Sequence, residues 1–199
     1  MEIIWATKEL IAERGIAGVS FREIGRRMGG SSTLVTHYFP TVSDLFHEMA
    51  VAAVETWQEE LRKIEEKYPD PAQRLNVILF EWLLPLSGEE LVNERARINL
   101  VAAGLQGQDI QELLDLWETG VKEVLRPTLG SLVEKNKVEQ YADALRVAFN
   151  GLALSTVEHP NHWTVRRQRA TFRTIVEGLG LPIVPTRPRL PAPDNAARG

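Results

Sequence analysis

Between residues 20 and 39 the chain reads SFREIGRRMGGSSTLVTHYF, and the side chains able to do chemistry there are hydroxyls, arginines and a histidine. Ser20 followed by Glu23 has the form of a capping box, which starts a helix. Ile24 and Met28 share one face at i and i+4, giving that helix a buried side. Gly29-Gly30 permits a tight turn at little steric cost. Ser31 stands as N-cap to a second short helix whose Val35 and Phe39 face inward together. Ser32, Thr33, Thr36 and His37 then occupy its other face, small and polar, able to meet base edges in a groove. Two short helices, a glycine turn and a polar second helix make a helix-turn-helix, whose second helix enters the DNA major groove. The same outline also occurs in helical proteins that bind no DNA.

Charge sharpens the picture. Over the whole chain of 199 residues the net charge is −4, which argues against a non-specific nucleic-acid coat. From residue 14 to residue 40, however, Arg14, Arg22, Arg26 and Arg27 face only Glu23. Arg22, Arg26 and Arg27 lie on the helix that would cross the DNA backbone, where phosphate contacts are expected. Arg14 reads as part of a solvated face. Hydroxyls discriminate base edges weakly on their own. Leu34 either meets a thymine methyl or completes the packing of its own helix.

The wider stretch, AERGIAGVSFREIGRRMG followed by THYFPTVSDLF within residues 6–49, resembles the N-terminal domain of TetR-type (tetracycline-repressor-like) transcriptional regulators. Glu13, Gly15, Gly18, Ser20, Ile24, Gly29, Ser31, His37, Tyr38, Phe39 and Leu45 fall on that family's pattern. The resemblance implies DNA contacts from Ser31, Ser32, Thr33, Thr36 and His37, with Tyr38 on phosphate. Gly30, Thr33, Thr36 and Val42 depart from it, Val42 standing where a phosphate-binding lysine is frequent. Residues 83–86, 95–105 and 151–160 resemble the subgroup of betaine-responsive repressors. That likeness implies a dimer interface formed by the last two helices and a ligand pocket among the middle ones.

Going back along the chain, Ile3, Ile4, Leu10 and Ile11 outline a first helix that ends near Gly15 and leaves no room before it for a basic arm. Ser43 opens a long helix, to residue 67, with Leu45, Phe46, Met49, Trp57, Leu61 and Ile64 at helical spacing. Asp70-Pro71 caps a helix carrying Leu75, Ile78, Leu79 and Trp82, closed by Pro85 and Gly88. Ser87 with Glu90, and Asp109 with Glu112, start two more, the second interrupted at Pro127. Helices follow at 138–157 and 164–179. No strand alternation or internal repeat interrupts the pattern. The expectation is an all-α chain of about nine helices. Residues 1–42 form a three-helix helix-turn-helix domain, 43–180 a larger helical ligand-binding and dimerisation domain, and 181–199 a Pro-rich, disordered tail.

Candidates for the ligand are Trp57, Phe80, Trp82, Asn99, Trp117, Phe149 and Asn150. Aromatics at this spacing also serve simply as core. Asn99 and Asn150 interrupt apolar runs, and a buried amide needs a partner, either a ligand or a neighbouring helix. His159 and His162 have a metal-like spacing, but Pro160 places them in a loop without a third ligand. No P-loop, dinucleotide fingerprint or nucleophile motif is present, so neither catalysis nor a cofactor is expected. With no cysteine, no long apolar run and no signal-peptide layout, a cytoplasmic protein is the default. Together these features describe a homodimeric, ligand-responsive regulator, a repressor on palindromic double-stranded DNA. A helical ligand- or partner-binding protein with lost or weak DNA affinity is the alternative.

Overall fold

Hydroxyl and carboxylate side chains decide where several helices begin. The computed structural model describes residues 2–104 and 108–184, and among these residues it contains nine α-helices and no strand. They are α1 (Glu2–Arg14), α2 (Phe21–Arg27), α3 (Ser32–Tyr38), α4 (Val42–Lys67), α5 (Pro71–Val77), α6 (Glu89–Gly104), α7 (Gln108–Leu129), α8 (Val138–Glu158) and α9 (Val165–Gly178). The Ser20 hydroxyl accepts from the Glu23 amide at 3.2 Å. The Asp70 carboxylate accepts from the Gln73 amide at 3.0 Å, with Pro71 in the first turn where its missing N–H costs nothing.

Three boundaries differ from the sequence reading. Thr41, not Ser43, opens α4: its hydroxyl accepts from the Asp44 amide at 3.1 Å, and the Asp44 carboxylate accepts from the Thr41 amide at 3.0 Å. Aspartate thus does here what glutamate usually does in such a box. Beyond α5 the chain continues through a π-turn at Ile78–Trp82 rather than regular α-helix. Third, the tail does not begin at residue 181. Gly180, at φ 71°, closes α9, and the Leu181 amide donates back to the Val176 carbonyl at 3.2 Å. This reversal turns Leu181 into the core, where it is buried. Asn76, itself buried, then donates to the Pro182 carbonyl at 2.8 Å and accepts from the Val184 amide at 3.1 Å. Residues 185–199 and the side chain of Asp109 lie outside the described residues. Helix α7 runs through Pro127 to Leu129.

Two apolar clusters organise the molecule. One joins α1, α2, α3 and the first half of α4 through Leu10, Ile11, Ile24, Val35, Leu45, Phe46 and Met49. The same cluster contains Ala96 and Leu100 of α6 and Trp117 of α7. The head is therefore seated on the body rather than tethered to it. The other cluster unites the second half of α4 with α5, α7, α8 and α9, around Leu75, Ile78, Leu79, Leu125, Leu145 and Phe172. Trp57 packs against both. At the α1–α6 contact, burial lowers the pKa of the Lys8 ammonium, while Glu89 acts in the opposite sense.

Candidate nucleic-acid interface

Helix α3 is held by one side and open on the rest. Val35 is fully buried, while Ser32, Thr33, Leu34, Thr36, His37 and Tyr38 are all exposed. The turn that sets its angle to α2 is closed by two backbone bonds. The Gly29 amide donates to the Arg26 carbonyl at 3.2 Å and the Gly30 amide to the Gly25 carbonyl at 2.8 Å. Gly29 sits at φ 70°, a conformation that favours glycine. Gly30, a departure from the family pattern, thus takes part in closing this turn. Gly25 matters for another reason: a Cβ there would fall 2.7 Å from the backbone carbon of Ser31. Only glycine lets α2 and α3 approach so closely.

The polar side chains of the head fall into distinct environments. Ser31 has the extended backbone of an N-cap, but its side chain makes no capping bond. The Thr36 hydroxyl donates within α3 to the Thr33 carbonyl at 3.2 Å. His37 and Tyr38 meet edge to face, with ring centroids 5.2 Å apart. On α2, Arg22 is exposed. Arg26 remains accessible, although it donates to Glu23 at 2.7 Å. Glu23 also accepts from Arg14 at 3.2 Å, so its carboxyl is held below its ordinary pKa, chiefly by the hydrogen bond from Arg26. Arg14, expected on a solvated face, is therefore one side of an ion pair.

Arg27 does not match its expected place on phosphate. Its guanidinium is bound to Glu13 and, at 3.3 Å, to Glu9, and the side chain is only 22% exposed. Glu9 and Glu13 stand at i and i+4 on α1, and together they form a carboxylate cradle that fastens α2 to α1. The sequence alone does not pair these charges, because the pairing depends on how α1 crosses α2.

The seven ligand candidates do not line one site. Phe80 and Phe149 are buried in the body cluster and Trp82 packs against it. Trp117 belongs to the head cluster instead. Asn99 donates to the Ile11 carbonyl at 2.9 Å, tying α6 to the end of α1. Asn150 accepts from Arg146, whose guanidinium also donates to Glu118 at 2.9 Å. Both amides therefore have helix partners. Trp57 packs against the cluster that contains Trp117, and α7 lies close to it at Gly120, where a Cβ would meet Val54 at 2.9 Å and Trp57 at 3.6 Å. In this region the buried Trp117 Nε1 has no hydrogen-bond partner, and on α6 neither does the buried Asn93 Oδ1. Sequence reading missed Asn93, because an isolated asparagine on a polar helix carries no signal. No group of three or more His, Cys, Asp or Glu side chains placed to hold a metal ion occurs among the described residues.

Comparison with known proteins agrees with this geometry. Residues 3–49 match the model of bacterial regulatory proteins of the tetR family, and residues 71–181 that of the BetI-type transcriptional repressor C-terminal domain. A transcriptional regulator from Rhodococcus sp. Rha1 superposes with a TM-score of 0.76 at 22% identity, over 92% of this chain and 98% of that one. One from Saccharomonospora viridis in complex with choline gives 0.70 at 20% identity, over 88% and 94%. A TetR transcription regulator from Haloarcula marismortui gives 0.71 at 20%, over 88% and 93%. No curated protein sequence gives a match. With an exposed reading helix on a helical body and both family models matched, the chain belongs to the TetR family of DNA-binding transcriptional regulators, with a C-terminal domain of the BetI type.

Proposed function

We propose that the protein is a cytoplasmic repressor that binds a palindromic operator as a homodimer and releases it when a small molecule enters the helical body. The observation that carries this reading is the exposure of every α3 residue except Val35, beside the accessible arginines of α2. Ser31, Ser32, Thr33, Thr36 and His37 would face base edges, with Tyr38, Arg22 and Arg26 on phosphates. Arg27 acts one step back, positioning α2. The exposed faces of α8 and α9 would pair two protomers. Val147 is 70% and Leu154 45% exposed there, and a Cβ built on Gly151 would meet nothing. Two reading helices must then sit about 34–36 Å apart to meet successive major grooves.

For the effector, the region between α4, α6 and α7 is best equipped. Trp57 packs against the cluster that joins Trp117 to Ala96 and Leu100 of α6, the buried Trp117 Nε1 has no hydrogen-bond partner, and on α6 neither does Asn93 Oδ1. Aromatic faces suit a quaternary ammonium head group, and the Saccharomonospora viridis regulator was solved with choline. Both α4 and α6 reach the head cluster, so a ligand that shifts either one biases the separation of the reading helices. Titration of choline into the protein–operator complex tests this. Choline should weaken DNA binding in the wild type and act less on Trp117→Phe, which keeps an aromatic ring but loses the indole N–H. Unchanged DNA affinity at millimolar choline removes quaternary amines from the account.

A further inference from the structure

The chemistry of α3 is lopsided for a helix that reads bases. Guanine is read most often by Arg or Lys on O6 and N7, and adenine by Asn or Gln on N6 and N7. From Ser31 to Tyr38 the chain has none of these four residues. Its hydroxyls accept or donate to several base edges, and that of Thr36 already donates to the Thr33 carbonyl. Besides His37 there remains Leu34, a large apolar side chain left 44% exposed beside the fully buried Val35. Thr33 precedes it, and His37 and Tyr38 follow at i+3 and i+4, so it stands amid the polar candidates. Behind it lies Gly30, where an added Cβ would only just touch Leu34 Cδ2 at 3.8 Å.

The major-groove floor carries a single apolar group, the C5-methyl of thymine. We propose that Leu34 reads this methyl, and that each half-site carries a thymine under Leu34. The proposal rests on α3 being the DNA-reading helix. It adds a residue to the interface and a base to the operator.

The test removes the methyl without touching the protein. The full chain selects its preferred duplexes from a random double-stranded library, and each thymine of the selected site is then replaced by uracil. Uracil pairs identically and lacks only the methyl. At one position in each half-site this should weaken binding about fourfold, the worth of one buried methyl group. Replacing both symmetric positions should cost about fifteenfold. The same replacements should leave the affinity of Leu34→Ala nearly unchanged. A selected site with no uracil-sensitive position, or one to which Leu34→Ala is equally sensitive, overturns the role of Leu34 while leaving α3 as the reading helix. Failure to enrich any sequence overturns both.

Discussion

At the scale of single residues, the two arginines that end α2 stand in opposite environments. Arg26 is 61% exposed and shares one carboxylate, whereas Arg27 is gripped by Glu9 and Glu13. Phosphate neutralisation should therefore come from Arg22 and Arg26, two cations per protomer. Each contributes about 0.9 to the slope of log affinity against log salt, which gives roughly −3.6 for a dimer. Arg27→Ala should leave that slope unchanged and lower the melting temperature by loosening α1 from α2. A slope shallower by about 2 in that variant would return Arg27 to the phosphates. His37→Ala should instead relax sequence preference at a constant slope. Residue types on α3 were legible because a helix-turn-helix has a fixed spacing of buried and exposed positions. The partners of Arg14 and Arg27 were not, because they lie on a different helix and depend on how α1 crosses α2.

Among the elements, the close approach of α2 to α3 and the clasp on the last residues can each be broken by a small change. Gly25→Ala places a methyl within 3 Å of the Ser31 backbone, so α3 must move. Such overpacking costs about 1–3 kcal/mol. DNA affinity should fall about tenfold or more while sedimentation still shows the wild-type assembly. Preserved affinity would mean that the α2–α3 angle is not what positions the reading face. Truncation after Leu181 removes the Pro182 and Val184 partners of Asn76, leaving only its bond to the Ala72 carbonyl, and should destabilise by about 1–3 kcal/mol. For a chain of this size that is a fall of about 2–4 °C per kcal/mol in Tm. Truncation after Val184 keeps the clasp and should cost far less. Helix existence was legible throughout, from apolar spacing and from Asp70-Pro71. Residues 181–184 were misread because frequent prolines signal loss of helix, not loss of contact. Their anchor is a buried asparagine on α5, 106 residues earlier than Pro182.

For the whole molecule, the head and body share a core, since Ala96, Leu100 and Trp117 pack with Leu10, Ile24 and Val35. Domain boundaries read from sequence place a cut at residue 42. The first half of α4 packs with the head all the same, because Leu45, Phe46, Met49 and Ala50 complete its core. Dimerisation belongs to this scale too. Val147→Glu with Leu154→Arg introduces charge on the exposed face of α8, and an interface of this kind buries about 1,600 Å² in total. The double variant should sediment as a monomer with an intact helical spectrum, and a persistent dimer would move the interface elsewhere. The central claim, that two α3 helices read one palindromic site, is tested most directly by footprinting the purified full-length protein on the DNA flanking its own gene at physiological salt. The account predicts two protected half-sites centred about 10 base pairs apart, or a multiple of that, lost when salt is raised. Protection no stronger than on random DNA of the same length would contradict it.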